Sequence, residues 1–306
     1  MTSRHLRLIL NGKSADRPDV REAVAALRDH GHHVSVRVTW EGGDAGRFAA
    51  EAVNHQSEDP FDVVVAGGGD GTVNEVVGGM LDAAQTAGVT PLALAVLPLG
   101  TANDFAAGLG LDPAEPAACL RIAAEGRFSP LDIGRVNGRP FVNMATGGFG
   151  ATVTTETDPV LKRRIGGAAY LFTGLRRFSE LAGCEGRMEG EGFSWSGRFL
   201  ALAIGNGRQA GGGAVLCPDA RIDDGLLDLT IIPFPAREEI GPFFSRLFES
   251  GVRALEDEVV TAQVKRLRIE TTARIQMNLD GEPIRGRSMD IEIEPSCLMI
   301  AHPKGN

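Results

Sequence analysis

The sequence predicts an α/β domain built on a parallel sheet, followed by a second, mainly antiparallel β region. Three observations carry this reading. Apolar strand-like runs alternate with helically spaced ones through the first part of the chain, as in a parallel sheet with both faces covered. After Arg127 short strand signals succeed one another with few helical ones between them. A length of 306 residues also exceeds the usual size of one domain, so two are expected.

Residues 6–10 are an apolar strand, and residues 18–30 place Val20, Ala23, Val24 and Leu27 on one helical face. Val34, Val36 and Val38 alternate with polar residues in a second strand, and a helix is expected around residues 47–55. Residues 61–66, FDVVVA, are too few for a helix and rich in β-branched valine, which marks a buried strand. The chain then enters Gly67, Gly68, Gly69, Asp70, Gly71 and Thr72 without a linker. From Val73 the apolar positions Val76, Val77, Met80, Leu81 and Ala84 follow helical spacing, with Thr72 as the expected N-cap and Glu75 three residues later.

This strand, glycine turn and helix form a candidate phosphate site. Four glycines in the five positions 67–71 remove side chains that would hold a ligand away from the backbone, and they permit positive φ. Amide groups at the start of the next helix would face a bound anion. A tight turn in an α/β sheet uses the same glycines, but Asp70 argues for more. A carboxylate beside a phosphate is repelled unless it binds a cation, a hydroxyl or a ribose, which points to Mg²⁺ or a reacting group.

Two familiar phosphate motifs are excluded. Gly69 and Gly71 are followed by Asn74 where the dinucleotide fingerprint requires glycine, and no ribose-binding acid follows a second strand. Gly12, Lys13 and Ser14 look like the end of a P-loop, but that loop requires glycine where this chain has Arg7.

A strand at residues 92–97 delivers a second turn, Pro98, Leu99, Gly100, Thr101, Ala102, Asn103, Asp104 and Phe105. It falls at the carboxyl end of a parallel strand, where open α/β sheets bind ligands. Thr101, Asn103 and Asp104 suit either ligand binding or the cap of a short helix. Two such turns on one sheet edge favour a ligand crevice.

In the second region Asn137-Gly138 separates residues 133–136 from 141–144 and signals a hairpin. Further strands read at residues 193–195, 199–204, 227–232, 267–269 and 275–279. Residues 161–178 interrupt them with Lys162, Arg163, Arg164, Arg176 and Arg177 among Ile165, Tyr170, Leu171, Phe172, Leu175 and Phe178. That mixture suits contact with lipid head groups, or a helix packed on the sheet with a solvated basic face. Gly211 to Gly213 form the loosest loop. The last strand signals, at residues 289–293 and 298–300, carry no pattern that says which domain receives them.

A hydrophobic fraction of 43% and a charged fraction of 23% are those of a soluble globular chain. A net charge of −9 and a pI near 5.3 argue against a nucleic-acid partner and against wholesale adsorption to anionic membrane, so any membrane contact is local. No apolar run approaches a spanning helix, and no apolar signal region follows the basic N-terminus, which reads as cytoplasmic. Cys119, Cys184, Cys217 and Cys297 are scattered and form no metal motif; they read as buried thiols of a reducing compartment.

With these pieces in order, the chain resembles the bacterial lipid kinases of the diacylglycerol kinase catalytic-domain family, and within them the YegS-like branch. The resemblance runs from LILNGKS at Leu8 through AGGGDGTVNEV, LPLGTANDFA, NMATGGFGA, IGNGRQAGGG and IDDGLLDL to NLDGEP at Asn278. It implies a three-layer nucleotide domain similar to those of NAD kinases and phosphofructokinases, then a β-sandwich, with the chain's end returning to the first domain. The implied division is 1–128 plus 290–306 for the ATP-binding domain and 129–289 for the lipid-substrate domain.

Carried over by position, the resemblance implies ATP binding by Thr39, by Gly69, Asp70, Gly71, Thr72, Val73, Asn74 and Glu75, and by Thr101. It implies Mg²⁺ held by Asp224 with the main-chain carbonyls of Arg221 and Leu226, which a hard cation accepts, with Ca²⁺ as a possible substitute. It places the general base at Glu282, with Asp70 as the rival and an exposed hairpin residue as the bland alternative. Asp70 and Asp104 are candidates to organise the catalytic Mg²⁺, while Asp224 holds a more structural ion.

The expected activity is transfer of the γ-phosphoryl group of ATP to a hydroxyl of a membrane lipid, in phospholipid metabolism, with transient contact at the inner membrane face. Diacylglycerol and phosphatidylglycerol both offer a primary hydroxyl, and the branch resemblance tilts towards phosphatidylglycerol. The rivals are a kinase of a soluble substrate such as NAD and a nucleotide-sensing module without turnover. The sequence leaves the oligomeric state open.

Overall fold

In the computed structural model the described residues are 3–54, 60–148, 184–234, 239, 246 and 258–303. The basic and apolar stretch at 161–178 lies outside them. The chain divides into two compact units, Met1–Asp132 with Pro295–Asn306, and Ile133–Glu294. The family resemblance implies these divisions a few residues earlier, at 128 and 290.

The first unit alternates strand and helix. Its elements are β1 (His5–Leu10), α1 (Pro18–Asp29), β2 (His33–Val38), α2 (Asp44–Asn54), β3 (Val63–Gly68), α3 (Asp70–Ala87), β4 (Ala93–Pro98), α4 (Asp104–Gly108) and α5 (Pro116–Glu125). α1 buries Val20, Ala23, Val24 and Leu27, the face its spacing predicts. β3 is buried at all six positions, as a central strand must be. The sheet runs parallel in the order β4, β3, β1, β2, and Ile300 near the chain's end adds beside Leu94 of β4, also in parallel. Right-handed crossovers set the layers. The chain moves one way from β1 to β2 and the other way from β2 through β3 to β4, so α1 lies on one face and α2 and α3 on the other.

Several local expectations shift. α2 begins at Asp44 rather than near 47, because the Asp44 carboxylate takes the amides of Trp40 (2.7 Å) and Glu41 (3.2 Å) and fixes the entry to the helix. α3 begins at Asp70 with Gly69 as its N-cap, so Thr72 sits inside the first turn and is not the cap. α5 was not foreseen: its sequence is alanine-rich and gives a weak periodic signal, although Pro116 stands at its start.

The second unit is antiparallel. It takes in the end of β5 (Arg127–Val136), then β6 (Arg139–Phe141), β7 (Met144–Gly148), β8 (Cys184–Gly190), β9 (Phe193–Gly205), a small ribbon of β10 (Gln209–Ala210) and β11 (Ala214–Val215), β12 (Leu227–Pro233), β13 (Val260–Val264), β14 (Arg266–Leu279) and most of β15 (Glu282–His302). The hairpin at Asn137-Gly138 forms as predicted, with both residues at positive φ and Val136 paired to Arg139. The pairs of short strands expected at 193–204 and at 267–279 are single long strands. β9 and β14 each pair with β8 at one end and with β7 at the other, so two layers share them. A register shift between Glu270 and Ile275 bends β14 between its two partners. Phe141, Met188, Phe199, Leu229, Ile269, Met277 and Ile291 lie in the core these strands enclose.

None of the four cysteines forms a disulfide, and only Cys119 and Cys217 are buried; Cys184 and Cys297 are half-buried. Burial pushes the Cys119 thiol up to about 11 and the Cys217 thiol up to about 12, which makes both poor nucleophiles. No helix among the described residues is long and apolar enough to cross a membrane.

Candidate active site

The two glycine turns of the first unit meet at the carboxyl ends of the adjacent strands β3 and β4. The amide of Leu99 donates to the carbonyl of Gly68 at 2.9 Å. A Cβ on Gly100 would lie 2.4 Å from the Cα of Gly69, and one on Gly68 would lie 2.4 Å from Thr72 Oγ1. Close approach, rather than positive φ, is therefore what glycine supplies here: none of the glycines from Gly67 to Gly71 has positive φ. Positive φ falls instead on Asn103, at 54°, where the side chain both accepts from the amide of Gly100 (2.8 Å) and donates to its carbonyl (3.0 Å).

Asp70 ties the turns together. Its Oδ1 accepts from the amide of Phe105 at 3.0 Å and its Oδ2 from the amide of Asp104 at 3.2 Å, so it caps α4 from the neighbouring turn. Glu75 reaches the other way: its Oε1 accepts from the amides of Ala45 (3.2 Å) and Gly46 (3.5 Å) at the start of α2. α2 and α3 cross where a Cβ on Gly79 would lie 2.1 Å from the Gly46 carbonyl oxygen, so this contact too requires glycine.

The remaining nucleotide-site candidates lie along the same edge. Thr72 Oγ1 accepts from Asn11 Nδ2 at 3.3 Å, and Thr39 Oγ1 accepts from the amide of Gly12 at 3.2 Å. Thr101 is exposed, Gly69, Gly71, Thr72 and Thr39 are half-buried, and Val73 packs inward. The structure thus brings Thr39, residues 69–75 and Thr101 to one sheet edge. The sequence missed Asn11 and the exposed Lys13, which follow β1 on that edge. Their motif, NGKS, reads from its residues as an incomplete P-loop and enters the family resemblance without a named role; the strand order places it between the Thr39 and Gly67 strand ends.

The donors here suit a phosphorylated ligand. The early amides of α3 have no partner within the helix, and Asn74 Oδ1 is buried with no hydrogen-bond partner among the described residues. That amide oxygen is an acceptor, so the group that would satisfy it is a ligand hydroxyl or a cation and not a phosphate oxygen.

In the second unit Arg221, Asp224 and Leu226 share one loop. Asp224 Oδ1 accepts from the amide of Leu226 at 3.0 Å across Gly225, whose φ is 72°. Arg221 turns its guanidinium to Asp223 at 3.4 Å. Burial pushes the Asp228 carboxyl up; Gln263 opposes the shift, and the charges of Asp224 and Asp219 add to it. No cluster of three His, Cys, Asp or Glu side chains suits a metal among the described residues. The loop still fits a hard cation held by one carboxylate and main-chain carbonyls in a locally negative field.

Glu282 is exposed on the first residue of β15, paired with Leu279 across the turn of Asp280 and Gly281. That turn is fixed from outside. The Asp280 carboxylate accepts from three successive amides, Val142 (2.6 Å), Asn143 (3.0 Å) and Met144 (2.8 Å), and Asn278 Oδ1 accepts from the amide of Gly281 at 2.7 Å.

The family described as diacylglycerol kinase catalytic domain matches residues 5–136, and the YegS C-terminal NAD kinase beta sandwich-like domain matches residues 143–302. A protein of Pseudomonas aeruginosa (strain UCBPP-PA14) named "Probable lipid kinase YegS-like" is 48% identical, over 98% of this chain and 94% of its own. A protein of Alcanivorax borkumensis with the same name is 45% identical, over 99% of this chain and 98% of its own. A crystal structure described as a diacylglycerol kinase from Bacillus anthracis str. Sterne shares the fold at a TM-score of 0.77 and 22% identity, covering 99% of this chain and 98% of that one. The chain belongs to the YegS-like branch of the diacylglycerol kinase catalytic-domain family.

Proposed function

We propose that this protein transfers the γ-phosphoryl group of ATP to a primary hydroxyl of a membrane lipid of the diacylglycerol or phosphatidylglycerol class. The observation that carries the nucleotide half of this reading is the meeting of Gly69 and Gly100 at the ends of β3 and β4, with the N-terminus of α3 behind them. The lipid half rests on family membership and on the names its relatives carry. The acceptor works at the inner membrane face.

Phosphoryl transfer to an alcohol asks the protein for position, charge neutralisation and a proton acceptor. Residues 69–75, Thr39 and Thr101 hold the nucleotide, with the amides of α3 facing its phosphates. Mg²⁺, or Ca²⁺ in its place, would supply charge neutralisation when bound. Asp224 and the carbonyls of Arg221 and Leu226 would hold a more structural ion, and Asp70 and Asp104 would organise a catalytic one. Glu282 takes the hydroxyl proton. Asp70 is the weaker choice of base because its two oxygens accept the amides of Phe105 and Asp104 and so position the second turn, and its remaining lone pairs would serve the ion rather than the hydroxyl proton.

The test is transfer of labelled γ-phosphate from ATP to a panel of lipids in mixed micelles, with NAD as a soluble acceptor, for wild type, Glu282→Ala and Asp70→Asn. The reading expects labelled lipid, lost in Glu282→Ala while ATP still binds. Labelling of NAD alone would replace the lipid by a soluble substrate. No labelling with intact ATP binding would leave a nucleotide-sensing module.

A further inference from the structure

We propose that Trp40 is the platform on which the base of the bound nucleotide stacks. The proposal rests on the nucleotide reading above. Trp40 is 94% exposed, the most exposed of the large hydrophobic side chains among the described residues. Indole offers more apolar area than any other side chain, so leaving it in water forgoes the largest burial available.

The exposed side chain stands on a fixed backbone. The amide of Trp40 donates to Asp44 Oδ2 at 2.7 Å, and Asp44 is held in turn by Arg47 Nη2 at 2.6 Å. The preceding residue is fixed as well: the amide of Thr39 donates to the carbonyl of Leu10 at 2.9 Å, and its hydroxyl accepts from Gly12 at 3.2 Å. Val38, the last residue of β2, is itself 45% exposed. A rigid main chain presenting a solvated indole is a preformed contact surface.

The strand order supplies the reach. β1 lies between β3 and β2, and neighbouring strands stand about 4.8 Å apart, so the end of β2 is about 10 Å from the glycine turn that ends β3. A nucleotide laid along this edge with its phosphates over the start of α3 carries its ribose across the end of β1, where Asn11, Gly12 and Lys13 lie. Its base then arrives at the end of β2. Stacking on an aromatic face suits every base and favours the larger purine rings over pyrimidines. Trp40 thus contributes affinity for the nucleoside portion, while the glycine turns bind the phosphates.

The chain has two tryptophans, so Trp195→Phe leaves Trp40 as the only indole reporter. In that variant ATP and GTP are expected to quench the emission saturably, CTP less, and inorganic tripolyphosphate not at all. In the otherwise native chain, Trp40→Ala is expected to weaken ATP binding by calorimetry about tenfold, with Trp40→Phe recovering most of it and tripolyphosphate affinity unchanged in both. Native-like thermal unfolding of Trp40→Ala is expected, since the side chain it removes is solvated. ATP affinity unchanged in Trp40→Ala, or equal quenching by tripolyphosphate, would overturn the stacking while leaving the kinase reading intact. So would a blue shift on phosphatidylglycerol vesicles with no response to nucleotide, which would make Trp40 a membrane contact. Failure of wild type to bind any nucleotide would overturn the kinase reading and this proposal together.

Discussion

Asp280 and Met144 hold each other by a reciprocal pair of hydrogen bonds across 136 residues of sequence. Met144 donates its amide to Asp280 Oδ1 at 2.8 Å, and Asp280 returns its own amide to the Met144 carbonyl at 3.2 Å. The hairpin that carries Glu282 is therefore anchored to the segment entering β7. Removing the carboxylate leaves three amides without their acceptor, so Asp280→Ala is expected to lower stability by about 3 kcal/mol. The midpoint of urea unfolding measures this, and Asp280→Asn, which keeps an acceptor, should lose less.

Gly100 has backbone on its open side. Gly100→Ala puts a Cβ 2.4 Å from the Cα of Gly69, so one turn must move away from the other. The expected result is weaker ATP binding together with a stability loss of about 1–3 kcal/mol. Calorimetric titration with ATP checks the first and thermal unfolding the second. Gly88→Ala serves as a control: it strains a left-handed C-cap at a φ of 66° but stands at the far end of α3, and it should leave ATP affinity alone.

Acid should release the loop that carries Trp40. The amide of Trp40, then the Arg47 guanidinium and the amide of Glu41, hold the Asp44 carboxyl down at about 2, below its ordinary 3.8. The folded value lies below the unfolded one, so the stabilisation is fully present above pH 3.8 and is lost as pH falls towards 2. Asp44→Asn should flatten the fall in unfolding midpoint across that window. An unchanged slope would show that Asp44 does not couple this loop to the fold.

Divalent metal should stabilise the second unit through the loop of Asp224. Millimolar Mg²⁺ is expected to raise the unfolding temperature of wild type by a few degrees, on the order of 1 kcal/mol, and to do nothing for Asp224→Asn. An equal rise in both proteins would move the ion elsewhere.

What the sequence determined follows from local chemistry. Valine-rich runs too short for helices, followed by glycines and then by helical spacing, define a β-turn-α unit wherever they occur, so the parallel sheet and both glycine turns were legible. Asn137-Gly138 demanded a hairpin because few other residue pairs tolerate two successive positive φ values. The family motifs placed the candidate residues by number. The tertiary structure decided what those residues touch, because partners far apart in sequence leave no periodic trace. Thr72 looked like a cap beside its own helix, yet Gly69 takes that place, and Asp70 and Glu75 serve other helices. β9 and β14 read as broken pairs of strands because one long strand changes partners midway and its burial pattern changes with it. Asn11, Lys13 and Trp40 became candidates only once the order β3, β1, β2 set their strand ends side by side on the edge where the glycine turns open.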